Sequence, residues 1–575
     1  MIHKIKLTNI GKEKNIMTAL EEPAGNEGIK ARVSAIKIVA QWMETGDFPD
    51  RQLSFVAPVC RGFAMDLVYT TLRNVRLLDS IVSDYITKQP NHTVMAAILL
   101  GACQIFKLEN MAEHAAVHAT VEALKKAGEP NSAGFVNAVL RNLLRARDVI
   151  EINMKVLPLA IRESHPDEQV ERWVKRFGEE KTEALCKWDN TSANVTVCTV
   201  PGGPTVAELV STFNAAGVTA EPAEAAPSYA VVVPHGSHVD QLPGFEEGAF
   251  AVQDPATLGA VELLDVAPGM RVLDACSAPG GKTVQVALRM CGDGYVLAAD
   301  CWADRLDPLR ENLARFGLSD FVEVRQLDAR RVSLQDVEER FDRILLDVPC
   351  SNTGVQRRRA DAKWRFTPDR LKELNDTQYA ILSNAAKLLQ PGGKLVYSTC
   401  SLEKEENDDI VRKFLKEHPE FTRGEVRFSM PAVSGMDGAY AACLILDPNY
   451  KHPKAEKRSA SRDERDFSRG KPSRGGSFGR PAAKGRSRDD GAKPFAKRGD
   501  KRDFSKPAFE KPFAQKRKEF DPPRRNNFDA APRDAKSEKP RKEKRFDPRP
   551  QAAPVAERNA PAAKKARPTT GDTRW

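Results

Sequence analysis

Between Gln253 and Asp447 short apolar runs alternate with helix-length stretches, and that alternation limits the fold more than any other feature of the chain. The runs are Val272–Ala275, Tyr295–Asp300, Phe321–Asp328, Arg343–Val348, Lys394–Ser398 and Ala442–Leu446. Helices fit between them at Lys282–Met290, Ala303–Phe316, Pro368–Leu389 and Glu405–Glu417. Strands buried on both faces read as continuous apolar runs, and parallel neighbours need a crossover, usually a helix. The pattern therefore predicts a parallel, doubly wound, Rossmann-like α/β sheet. Ligands of such sheets sit beyond the carboxyl ends of the strands, so the residues just after each run are the candidates for function.

The first run leads into Asp274-Ala275-Cys276-Ser277-Ala278-Pro279-Gly280-Gly281-Lys282-Thr283. Its glycines permit close backbone approach, and the helix that follows favours an anionic group at its N-terminus. Two cofactor readings compete. Gly281-Lys282-Thr283 matches the end of a phosphate-binding P-loop, but Cys276 stands where the first Gly of that motif belongs, and GxGxxG is absent. The second run ends in Asp300, where a carboxylate can accept from ribose hydroxyls, and the third ends in Asp328. Acids at three successive strand ends suit a nucleoside with a cationic, unphosphorylated tail, which describes S-adenosylmethionine better than ATP. For each acid singly, a solvated strand end is the plain alternative.

The fourth run continues into Asp347-Val348-Pro349-Cys350-Ser351-Asn352-Thr353-Gly354, and the fifth into Tyr397-Ser398-Thr399-Cys400-Ser401. Cys60, Cys103, Cys186, Cys198, Cys291, Cys301 and Cys443 read as small, inert core residues. Cys350 and Cys400 differ, because ligands bind where they stand; a thiolate there can serve as a covalent nucleophile. No CxxC pair occurs among the ten cysteines, which argues against a disulfide scaffold or a zinc module. His114 and His118 lie one helical turn apart, but with no HExxH arrangement and no third ligand they predict no metal site.

The rest of the 575-residue chain divides by composition. Residues 451–575 hold 38 Lys+Arg against 18 Asp+Glu, a net of +20; the remaining 51 and 61 give residues 1–450 a net of −10. That tail has no Leu, Ile, Met or Cys and 15 of the 38 prolines, so it cannot bury enough apolar surface to order itself and is expected to be disordered. Phe alternates with Arg/Lys in loose repeats such as Arg465-Asp466-Phe467-Ser468 and Arg502-Asp503-Phe504-Ser505, which favours low-specificity RNA binding over a merely solvating tail. Arg357-Arg358-Arg359 forms a second basic cluster, to be read either as an RNA contact or as a solvated loop. Residues 1–27 read as a disordered leader, with Met17 an alternative start; 28–150 as an all-α domain of about five short helices; 165–250 as a small α/β module opened by one helix, Asp167–Cys186; and 251–448 as the sheet domain. No run approaches a membrane span, and the N-terminus lacks a signal peptide's apolar stretch, so a cytoplasmic protein is expected.

Three motifs together make the chain resemble the S-adenosylmethionine-dependent RNA cytosine-C5 methyltransferases: Asp274–Thr283 (DACSAPGGKT), Asp347–Val355 (DVPCSNTGV) and Tyr397–Ser401 (YSTCS). Gln253-Asp254 and Glu406-Asn407 support the match. Leu67–Arg73 (LVYTTLR) and Phe135–Arg141 (FVNAVLR) resemble the NusB-like domain of the bacterial ribosomal-RNA branch. The resemblance implies that Cys276, Ser277, Ala278, Pro279, Gly280, Gly281 and Lys282 surround the methionine part of the cofactor. It further implies Asp300 on the ribose, Asp328 near the adenine, Asp347 between cofactor and base, Cys400 as nucleophile and Cys350 as an aid to product release. Its substrate would be ribosomal RNA, in the small subunit, with no metal, no membrane and a monomeric enzyme. Asn352 stands where the family usually has Gly, and the basic tail falls outside the resemblance. The alternatives are a non-catalytic RNA-binding or ribosome-assembly factor, against which the intact cysteine pair argues, and a P-loop ATPase.

Overall fold

The computed structural model describes residues 26–108 and 113–453. The expected disordered tail lies outside the described residues apart from 451–453, and so does the leader apart from Asn26 and Glu27, which already open a helix. The N-terminal region is helical, with more elements than expected: Asn26–Thr45, Pro49–Leu53, Pro58–Arg73, Val75–Ser83, His92–Phe106, Glu113–Lys126 and Ala133–Arg145 precede the short helix Arg147–Met154. His92–Phe106 is its axis. Asn91 caps it by accepting from Val94 N at 2.9 Å, and Val94 to Ile105 is buried throughout, so the other helices pack around it.

The helix expected over Asp167–Cys186 is two, Asp167–Phe177 and Glu179–Asp189, because Gly178 sits at φ +82° and breaks the hydrogen-bond ladder. Both pack against the stretch after Cys400, where Trp173, Leu185, Leu402 and Met430 share a core. The short strands beyond them form their own antiparallel sheet: β1 (Val195–Thr199), β2 (Glu221–Pro222), β3 (Ala230–Val233) and β4 (Phe250–Val252), in the order β2-β3-β1-β4. The helix Val206–Ala215 covers it, with Phe213 set edge-on to Phe250.

The main sheet contains β5 (Arg271–Asp274), β6 (Tyr295–Asp300), β7 (Val322–Gln326), β8 (Phe341–Asp347), β9 (Leu389–Thr399), β10 (Phe421–Ser429) and β11 (Ala439–Leu446). Its order is β10-β11-β9-β8-β5-β6-β7. The five strands β5 to β9 run parallel, as expected; β11 returns antiparallel to β9, with β10 antiparallel beside it, so the sheet is mixed. Strand β10 escapes the apolar-run criterion because it is a bulged edge strand that exposes Arg423 and Glu425. The chain reverses direction across the sheet at β5, which lies between β6 and β8. Asp274, Asp347 and Thr399 thereby end three adjacent strands, with Asp347 in register with Ser398. Among the described residues no helix is long and apolar enough to cross a membrane.

A strap after β8 ties the sheet domain to the helical region. Arg73 donates to Arg357 O at 3.0 Å, Trp364 Nε1 donates to Leu72 O at 2.9 Å, and Lys363 Nζ donates to Arg73 O at 2.7 Å and Asn190 Oδ1 at 3.1 Å. Burial, only partly offset by Asp189, pulls the Lys363 ammonium down to about 7. Lys363→Met strands the Arg73 carbonyl and removes the cation beside buried Asp189. At about 1–3 kcal/mol for a buried group left unsatisfied, it is expected to lower the thermal midpoint and hasten proteolysis of the helical region, both read by a protease-coupled melting curve.

Candidate active site

The turn after β5 is held from both sides. Ala275 N donates to Leu345 O at 3.1 Å and Ser277 N to Ala299 O at 2.9 Å, so each neighbouring strand holds one end of it. Arg305 donates to Ala278 O at 2.9 Å and Asn312 to Pro279 O at 3.2 Å. Gly280 adopts φ +106° with Leu309 Cδ1 2.7 Å from where a Cβ would stand, a conformation and a clearance that only glycine meets. The turn then enters the helix Gly281–Arg289, whose Lys282 bonds Asp347 Oδ2 at 2.7 Å. Burial opposes the charge of that ammonium, yet Asp347 raises its pKa above the ordinary lysine value.

The strand-end acids fare differently. Asp274 is 1% exposed; Oδ2 accepts from Thr283 Oγ1 at 2.7 Å, while Oδ1 has no partner. Burial pushes its carboxyl up to about 7 against the Thr283 hydrogen bond. Asp300 is also buried, accepting from Trp302 N at 3.1 Å with Arg305 3.2 Å away. Asp328 lies two residues beyond β7, forked by Arg330 at 2.8–3.2 Å, and Arg330 holds its carboxyl below the usual range.

Cys350 and Cys400 come together, their sulfurs 3.2 Å apart. The hydrogen bond to Cys400 and then burial push the Cys350 thiol well above its ordinary range, so Cys350 stays protonated. Glu406 clamps the two loops: it accepts from Ser351 N and Gln378 Nε2, each at 2.9 Å, and from the hydroxyls of Ser351 and Ser401. Asn407 accepts from Thr399 Oγ1 at 2.6 Å and donates to Ser401 O at 2.8 Å. Asn352 takes φ +59°, the left-handed region that Asn tolerates better than other side chains, so the loop keeps a turn that glycine would also make. Of the seven cysteines read as core, Cys291 and Cys301 are exposed instead, each just past the end of an element.

A small cleft opens beside these groups, lined by Thr257, Lys282, Asp347, Cys400, Asp437 and Gly438 among others. Asp437 and Gly438 escaped the sequence reading: an Asp-Gly before an apolar run signals a turn, not what the turn faces. Gly438 N donates to Gly354 O at 2.7 Å, and a Cβ on Gly354 would lie 2.7 Å from Gly438 Cα and 2.8 Å from Cys400 O. Glycine at both positions is what lets Asp437 reach the cysteines' cleft. The basic cluster is no free RNA contact: Arg358 is pinned to Asp254 at 3.0 Å and Asp437 at 2.5 Å, and Arg357 lies over the Trp188 ring at 4.2 Å, leaving only Arg359 exposed. Among the described residues no His, Cys, Asp or Glu cluster could hold a metal ion.

A family model described as 16S rRNA methyltransferase RsmB/F matches residues 261–449, and a NusB family model matches residues 29–145. Probable ribosomal RNA small subunit methyltransferase B of Bacillus subtilis is 34% identical over 370 residues, 63% of this chain and 81% of that protein. Ribosomal RNA small subunit methyltransferase B of Vibrio cholerae is 34% identical over 399 residues, 68% of this chain and 90% of that protein. The chain belongs to the ribosomal RNA small subunit methyltransferase B family. The solved structure of PH0851 shares the fold, with TM-score 0.60 and 24% identity over 73% of this chain and 98% of that one. The family's RsmB/F match spans all the strand ends described above, and its NusB match spans the helical region from the first helix through Arg145.

The raised Asp274 carboxyl carries a pH signature. Its folded value of about 7 exceeds the ordinary 3.8, so the folded chain binds more protons than the unfolded chain between these values. Its contribution to stability is therefore full below the lower value and is lost as pH rises through the upper one. Asp274→Asn keeps an acceptor for Thr283 and does not titrate. Its melting temperature relative to the wild type is expected to rise between about pH 5 and about pH 8, measured on the ligand-free protein at both values.

Proposed function

We propose that the protein transfers a methyl group from S-adenosylmethionine to C5 of a cytosine in small-subunit ribosomal RNA, through a transient bond between Cys400 and C6 of the base. The observation that carries this reading is the pair of thiols 3.2 Å apart at the ends of adjacent parallel strands, beside Asp347 and Lys282. The residues after β5 fit the methyl donor. Asp274, Asp300 and Asp347 supply carboxylates at the strand ends, one of them with an unpartnered buried oxygen, and this acidic set favours a cationic ligand over a phosphate. Residues 276–282 would hold the methionine portion, Asp300 the ribose, and Asp328 would stand toward the adenine.

C5 of cytosine is a poor nucleophile. Cys400 Sγ, having lost its proton, attacks C6; the C5–C6 π pair shifts into the ring, and N3 takes up a proton, leaving C5 as an enamine carbon. Asp347 hydrogen-bonds the base edge and favours the protonated, more electrophilic ring. S-adenosylmethionine supplies the electrophilic methyl that C5 then takes. Solvent then takes the C5 proton, and the C5–H pair re-forms the C5–C6 double bond as the C6–S bond breaks. N3 gives back its proton and Cys400 leaves as the thiolate, with Cys350, kept protonated, beside the departing sulfur. A stacked base cannot reach Cys400, so the target is unpaired or extruded. The helical region and the basic tail would hold the RNA through its phosphates.

Cys400→Ala is expected to abolish transfer of labelled methyl to unmodified ribosomal RNA, and retained activity would sink the nucleophile assignment. Cys350→Ala is expected to accumulate a covalent protein–RNA adduct, seen as a shifted band on a denaturing gel. Bisulfite sequencing of the product RNA identifies the cytosine.

A further inference from the structure

Asn352 does more than make the turn after Cys350. Its Nδ2 donates to Cys350 O at 3.1 Å, two residues back in its own loop. A carbonyl only accepts, so this contact fixes which end of the amide faces where, and Oδ1 points the other way. That oxygen lies 3.1 Å from Cys400 Sγ and accepts from its thiol. The Cys400 sulfur in turn lies within hydrogen-bond reach of Cys350, whose proton is firmly held. The Cys400 backbone is equally constrained, since Gly354 N donates to Cys400 O at 2.9 Å and Leu402 N to Thr353 Oγ1 at 2.9 Å.

We propose that Asn352 is a positioning residue for Cys400: its amide oxygen holds the thiol proton and so sets the rotamer of the sulfur in the ligand-free enzyme. The proposal rests on Cys400 being the nucleophile. Glycine at this position would satisfy the backbone at φ +59° but offer no acceptor, so the side chain adds a restraint on the thiol that the turn itself does not require. The Cys400 proton is directed into the protein, away from the cleft, until a base enters. An amide oxygen stabilises the thiol as donor and offers nothing to a thiolate.

The test reads the Cys400 thiol directly, in the full chain without RNA. Iodoacetamide alkylation is followed by mass spectrometry of the tryptic peptide 395–404 and normalised to Cys291, which is exposed in the same chain. Asn352→Gly keeps the turn and removes the acceptor, and is expected to speed alkylation of Cys400 about two- to ten-fold, the equivalent of one neutral hydrogen bond. Asn352→Asp keeps the shape but sets a carboxylate beside the reacting sulfur, and is expected to slow it. A merely structural role loosens the loop in both variants and moves both rates the same way. Opposite signs support the proposal; equal signs, or rates unchanged from the wild type in both, overturn it. Retained methyl transfer by Cys400→Ala would instead defeat the nucleophile reading while leaving the alkylation result standing, so the two failures are separable.

Discussion

One buried carboxyl group, that of Glu406, holds the carboxyl end of the sheet in place around the two cysteines. A fully buried charge is costly unless its lone pairs are filled, and here donors come from the loop after β8, the loop after β9 and the helix Pro368–Ala385. Parallel register brings Asp347 level with Ser398, but register alone leaves the side chains beyond the strands free to diverge. Convergence of Ser351 and Ser401 on one acid removes that freedom, and the neighbouring cysteines follow. Tyr397 Oη, donating to Glu406 O at 2.6 Å, anchors the acid's own backbone to the strand that carries Cys400.

Behind this clamp a second acid does the same at longer range. Glu403 accepts from Trp173 Nε1 at 3.0 Å and from Arg172 at 2.9 Å, and Arg176 donates to Leu402 O. The helix Asp167–Phe177 thus braces the chain just past Cys400 from outside the sheet. Arg358, fixed between Asp254 and Asp437, braces the opposite side of the cleft. Arg172, Arg176 and Arg358 are accordingly spent on architecture, and Lys282 is the cation that lines the cleft, itself paired with Asp347.

Most of this site was legible from sequence because its chemistry sits where a periodic pattern ends. Apolar runs mark β5 to β9, and whatever follows them must lie at the carboxyl edge; Asp274, Asp300, Asp347, Cys350 and Cys400 all come out this way. What stayed hidden depends on contacts between distant segments. Strand β10 carries too much charge to read as a buried run, and the break at Gly178 is a single φ value inside an otherwise helical pattern. Arg357 and Arg358 read as a basic patch because nothing local announces Trp188, Asp254 or Asp437 as their partners. The Asn352 side chain looked like a departure from a small residue, and its partner lies 48 positions away.

The strap that joins the helical region to the sheet domain also has a meaning for biosynthesis. Leu72 and Arg73 leave the ribosome long before Trp364 and Lys363, which follow them by 292 and 290 positions. N-terminal domains fold first during translation, so this helical region emerges with two backbone carbonyls at a helix end still bonded to water. Their final partners arrive in the same stretch of nascent chain that brings Cys350. Docking of the early helices therefore waits for residues 357–364, and completion of the thiol-bearing loop waits longer still, for Cys400 and Glu406. A polypeptide truncated before Lys363 would display the unfilled seam to chaperones and proteases, while one carried past Trp364 holds both groups that fill it.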